Sequence, residues 1–160
     1  MLRFKITILA CIIMAAIVPL TDIGAVSKNS PLYTHFIYIA FHNGYLHYLI
    51  NAWSLLVMHN LFRWYRVLTA YSFAVLISYV AAPPQPMVGA SIFTCFFFGL
   101  IELYLWHKAR LALILTIALM LMTCFLPGYA GIQHIMAFSF GFLFSLIEGY
   151  IRRLRHYINP

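Results

Sequence analysis

Acidic residues are nearly missing from this sequence. Asp22, Glu102 and Glu148 are the three acids among 160 residues, and charged side chains of both signs make up only 8%. One aspartate excludes a catalytic aspartate pair, and no His-Glu-x-x-His run is present to hold a zinc ion. Cysteine is equally scarce. Cys11, Cys95 and Cys124 all lie inside apolar stretches and form no Cys-x-x-Cys pair. That excludes a disulfide framework or a thiolate metal site and reads them as small buried hydrophobes. Repeats, low-complexity tracts and linkers are also lacking, so residues 1–160 read as a single domain.

What the chain has in excess is apolar surface. Hydrophobic residues make up 64% of it, more than the polar surface of a soluble domain this size can cover. Lipid is therefore the expected solvent, and an all-α membrane protein the expected class. The formal charge of +7 comes from ten Lys and Arg. They lie between and beyond the apolar runs, where they act as topology signals. No basic stripe follows a phosphate backbone, which excludes nucleic acid as the partner.

Six apolar runs are legible: about Ile6 to Leu20, Gly44 to Phe62, Val67 to Ala82, Gly89 to Trp106, Leu111 to Leu126 and Gly131 to Ile151. Each approaches the length that spans ~30 Å of hydrocarbon as a helix, the structure that satisfies its own backbone in lipid. Six spans put Arg3, Lys5, Arg63, Arg66, Lys108, Arg110, Arg152, Arg153 and Arg155 on one side and only Lys28 on the other. The positive-inside rule makes that side, and both termini, cytoplasmic. Residues 1–25 have a second reading as a cleavable signal peptide, with basic residues, an apolar stretch and Gly24-Ala25 in order. The longest connection, Thr21 to Phe41, is outside and holds Asp22, Pro31, Tyr33 and Tyr38, consistent with an interfacial segment.

Polar residues inside such spans are functional hypotheses. His42, His47 and Asn51 enter the second span from outside, Ser91 the fourth and His134 the sixth. Three non-consecutive segments thus bring polar side chains to one depth. Ser91 to Trp106 covers roughly 22 Å of helix, so Ser91 is expected several Å below the outer surface, reached by water through a cavity. A serine hydroxyl needs a base within hydrogen-bond reach, and His134 is the candidate. Gly99, Ala137 and Gly141 are small residues that let the two helices approach. His47 and Asn51, four apart, share a helix face, and with the Ser91 amide they are candidate donors to an oxyanion. Glu102 and Glu148 lie toward inner ends, Glu148 four before Arg152, and read as solvated or snorkelling charges. His35, His59, His107 and His156 read as having no part in the chemistry.

These residues resemble the rhomboid family of intramembrane serine proteases, over about Tyr33 to Glu148. His42-x4-His47-x3-Asn51 is similar to the family's second-helix motif. Pro86-Met-Val-Gly89-Ala90-Ser91 resembles its Gly-x-Ser nucleophile motif, with Gly99 at the expected later place. His134, Ala137 and Gly141 resemble its sixth-helix His-x-x-Gly-x-x-x-Gly, with alanine for one glycine. The resemblance implies a six-helix bundle in the bacterial cell (inner) membrane, with Ser91 as nucleophile, His134 as general base, and no cofactor or metal. It implies His47, Asn51 and the Ser91 amide as oxyanion hole, with His42 and Gly89 supporting. The implied substrate is a membrane protein with a single transmembrane helix, cut near its outer end after entering laterally, between the second and fifth helices.

The sequence departs from the family in places. Ile92 stands where glycine usually follows the serine, and Cys95 where an aromatic is common. A bulky Ile92 is expected to reshape the site or narrow its pocket. The Trp-Arg pair of the first outer loop is missing, with Tyr33-Thr34 near its place. Other functions remain open: a non-catalytic rhomboid-like protein that binds membrane clients, a variant that processes C-terminal sorting tails, or a metal or haem protein using His42, His47 and His134.

Overall fold

The computed structural model describes residues 2–82, 86–108, 110, 111, 114, 117, 118 and 130–158. Those residues are helical wherever an apolar run is described, the form expected of backbone in lipid. Helix α1, Leu2–Ile17, continues through a 3-10 turn at Val18–Leu20 into α2, Thr21–Gly24. The outer loop contains a short helix, α3, Leu32–Ile37. Helices α4 (Gly44–Met58), α5 (Trp64–Val80), α6 (Ser91–Lys108) and α7 (Gly131–Ile158) follow. Among the described residues the one extended pairing is an isolated antiparallel bridge, Val26 to Met87. The expected fifth span, 111–126, and with it Cys124, lies almost wholly outside the described residues.

Among the described residues two stretches are long and apolar enough to cross a membrane, Leu2–Gly24 and Gly131–Arg155, with mean hydropathies of 2.3 and 1.4. The 28 residues of α7 make ~42 Å of helix, more than the ~30 Å core, and its overhang carries Arg152, Arg153 and Arg155. Helix α4 is shorter at 15 residues, and a 3-10 turn at His59–Leu61 prolongs it.

Helix α6 is the centre of the bundle, in contact with α4, α5 and α7. From Ile92 to Ile101 its sequence is apolar but for Thr94, and most of that stretch is buried. Ile92, Cys95, Phe96, Phe97 and Leu100 are all buried. The outward faces are inverted relative to a soluble protein. Leu46 and Trp53 on α4, Leu76 and Val80 on α5 and Leu143 on α7 are all exposed. An apolar surface of that extent marks a protein or membrane contact.

Helices α6 and α7 touch backbone to backbone. A Cβ placed on Gly99 would collide with the Phe138 carbonyl, and one on Gly141 with the Phe96 carbonyl. Ala137, fully buried, lies one turn above Gly141. At the end of the bundle away from Ser91, Glu148 of α7 accepts hydrogen bonds from Tyr65 and Arg66 of α5 and pairs with Arg152 at 3.1 Å. The i,i+4 pair expected from the sequence is therefore part of a larger network joining two helices. Helix α1 is fastened to α4, with the Tyr48 hydroxyl donating to the Cys11 carbonyl at 3.0 Å.

Two glycines of α7 give the contact a direct test. Gly141→Ala forces a methyl into the α6 backbone and is expected to destabilise by about 1–3 kcal/mol. Gly149 has open space around it, so Gly149→Ala should stabilise by about 0.5–1 kcal/mol through helix propensity alone. Thermal unfolding of both variants in one detergent checks this, and equal shifts would refute the close contact.

Candidate active site

Ser91 opens α6 and His134 lies in the first turn of α7. Both helices start on the same side of the bundle, so their first turns are level. His134 Nε2 lies 2.8 Å from Ser91 Oγ. With the hydroxyl donating, the imidazole is neutral and ready to take the serine proton. Among the described residues no carboxylate is hydrogen-bonded to His134. The pair is thus a dyad.

The segment that delivers Ser91 is held by backbone on two sides. Met87 exchanges two hydrogen bonds with Val26, each 2.9 Å, and the Gly89 N–H donates to the Tyr38 carbonyl at 3.0 Å. Gly89 has φ +116°, a conformation that L side chains rarely adopt. It is constrained a second time by His47. A Cβ on Gly89 would sit 2.6 Å from His47 Cε1 and 2.9 Å from Nε2, so the ring lies directly over this glycine. Ser91's own N–H is at a helix start, where it has no intrahelical acceptor, at the positive end of the helix dipole.

His47 and Asn51, the expected donors, are each held by a local bond. The Asn43 N–H donates to His47 Nδ1 at 3.3 Å, which leaves the proton on Nε2, the edge that faces Gly89. Asn51 is buried, and its Nδ2 donates one hydrogen to the His47 carbonyl at 2.9 Å. The amide's second hydrogen is free of that bond. His42 is fully buried and packs edge-on against His47, ring centroids 5.3 Å apart, and against Tyr48 at 5.7 Å. It backs the His47 ring and does not approach the dyad through any hydrogen bond. Among the described residues, no group of three or more His, Cys, Asp or Glu is arranged to hold a metal ion.

The structure brings together Ser91 with His134, Gly89 with His47, and Gly99 with Gly141's helix. Ile92 and Cys95 are both buried, and Cys95, four residues after Ser91, shares its face of α6. Both belong to the buried cluster with Val26, Tyr38, Ala74 and Ala137, under the outer loop. Ile92 thus contributes to packing rather than standing over the serine.

Sequence reasoning missed how deeply the outer loop is engaged. His35, read as a bystander, is buried with Nδ1 3.0 Å from Ser78 Oγ of α5. The Tyr38 hydroxyl donates to the Ala74 carbonyl at 3.0 Å, and the Tyr71 hydroxyl to the Phe36 carbonyl at 2.9 Å. Residues 71, 74 and 78 form one face of α5, so the loop is clamped along it. The signal was there in the loop's Tyr and His, but not which helix they would meet. Glu102 is partly exposed, but its Oε2 atom is buried and has no hydrogen-bond partner among the described residues.

Comparison with known proteins adds no relative: no family model, no curated protein and no solved structure matches the chain. The geometry therefore carries the functional reading.

Gly89→Ala strains the backbone and displaces the His47 ring together. Strain of ~1–3 kcal/mol, if expressed in the barrier, corresponds to a fall of roughly 5- to 150-fold in the rate of Ser91-dependent labelling by a fluorophosphonate. Labelling at the wild-type rate would show that the ring does not depend on this glycine.

Proposed function

We propose that this chain is an intramembrane serine endopeptidase of the rhomboid kind, crossing the bacterial inner membrane six times with cytoplasmic termini. The observation that carries it is the 2.8 Å approach of His134 Nε2 to Ser91 Oγ, at the first turns of two helices whose outer surfaces are apolar. A serine–histidine pair in such surroundings has little structural use, since an interhelical hydrogen bond is worth only about 1 kcal/mol there.

In this reading the imidazole takes the serine proton as Oγ attacks the scissile carbonyl. The Ser91 N–H, His47 Nε2–H and the second Asn51 hydrogen meet the oxyanion, in a site where preorganised donors are worth more than in water. Protonated His134 then gives its proton to the leaving amine, and water repeats the cycle on the acyl-enzyme. The substrate is a membrane protein with a single transmembrane helix. Its scissile region must unwind to expose a carbonyl, so glycine or proline near the cut promotes cleavage.

The test is cleavage of single-span reporter proteins in liposomes. Ser91→Ala and His134→Ala are each expected to lower the rate by roughly a thousandfold or more. Cleavage by the variants at the wild-type rate would remove the dyad. Absence of both cleavage and Ser91-dependent fluorophosphonate labelling in folded wild type would replace the protease with a client-binding protein.

A further inference from the structure

The clamped outer loop has a counterpart beneath it. Its bonds to α5 run from Tyr71 to Ser78, the outer half of that helix. Below, between α1 and the inner half of α5, the gap is an apolar cavity of about 870 Å³. The inner end is marked by Arg3 and Trp64, and Ile39 of the loop roofs the other end. Ala90, next to Ser91, and Phe93 form part of the back wall.

We propose that this cavity holds one acyl chain of an anionic phospholipid from the inner leaflet, with its phosphate against Arg3. Length supports this occupant. The α1 wall runs from Arg3 to Met14, ~16 Å of helix, close to the ~15 Å hydrocarbon depth of a single leaflet. Charge supports it too. Among the described residues Arg3 Nη1 reaches only the Asn60 carbonyl, at 3.4 Å, and Lys5 and Arg63 lie at the same end by sequence, while Arg66 is taken up by Glu148. Trp64, 78% exposed at the mouth, is the side chain that belongs at headgroup level. A chain seated here packs against Ala90 and so against the start of the helix that carries Ser91. The proposal rests on the membrane topology proposed above for the side on which Arg3 lies, and it does not depend on the Ser91 chemistry.

The experiment is native mass spectrometry of the full chain, delipidated in detergent and offered dioleoyl phosphatidylglycerol or dioleoyl phosphatidylcholine. The wild type is expected to retain one phosphatidylglycerol, preferred about fivefold over phosphatidylcholine, the worth of one basic side chain beside an anionic headgroup. Ala10→Trp and Leu68→Trp, which fill the cavity from opposite walls, should each lose that adduct, and Arg3→Gln should keep a lipid but lose the preference. Should one tryptophan variant fail to fold, the other decides. Wild-type retention in a folded tryptophan variant would overturn the site. Equal retention of both lipids by wild type would overturn the anionic headgroup. No retained lipid would assign the cavity to the chain's own remaining residues or to a second copy. Because the readout is lipid mass, an inactive protease that binds the lipid and an active one that does not are told apart.

Discussion

The backbone contact between α6 and α7 is the constraint on which the rest depends. Two helices approach this closely only where side chains are absent, and Gly99 and Gly141 each meet the carbonyl of the other helix. Ser91 lies eight residues above Gly99 and His134 seven above Gly141, so each descends ~10–12 Å to the contact. The helices run in the same direction. Equal descent from one shared contact brings the serine and the histidine to the same level, 2.8 Å apart. A polar pair in an apolar bundle needs such rigidity, because a shift of an ångström leaves two unsatisfied groups where water is scarce.

Ser91 needs more than its helix, since it stands at the helix start. The preceding loop is fixed by the bridge to Val26 and by the Tyr38 carbonyl, both in the outer loop. That loop is in turn bonded to α5 through His35, Phe36 and Tyr38. The result is a chain of support from α5 through the loop to the nucleophile. His47 closes it from the α4 side, its ring against a glycine that no other residue replaces without strain. In the proposed enzyme, the outer loop is then a scaffold for the chemistry as much as a cover for it.

The same loop divides the gap between α1 and α5. Its upper half is filled by the chain's own polar and aromatic side chains, which find partners on α5. Its lower half offers apolar walls, and Arg3 stands at the inner end. In an aqueous protein such a void would be a defect. In the proposed membrane topology, the surrounding lipid has chains long enough to fill it.

Much of this was legible in one dimension. Apolar runs of span length, basic residues between them and a few polar residues at matching depth depend only on position along the chain, and depth follows from counting residues at a fixed rise. The candidate dyad and the small residues on its helices were therefore readable. Rotation about each helix axis was not, because it is set by packing among helices remote in sequence. It decided that Ile92 turns into the core, that Glu148 meets Arg66 and Tyr65 as well as Arg152, and that His35 is buried against Ser78. Sequence by itself determined which residues share a depth; only the tertiary structure decided which of them face each other.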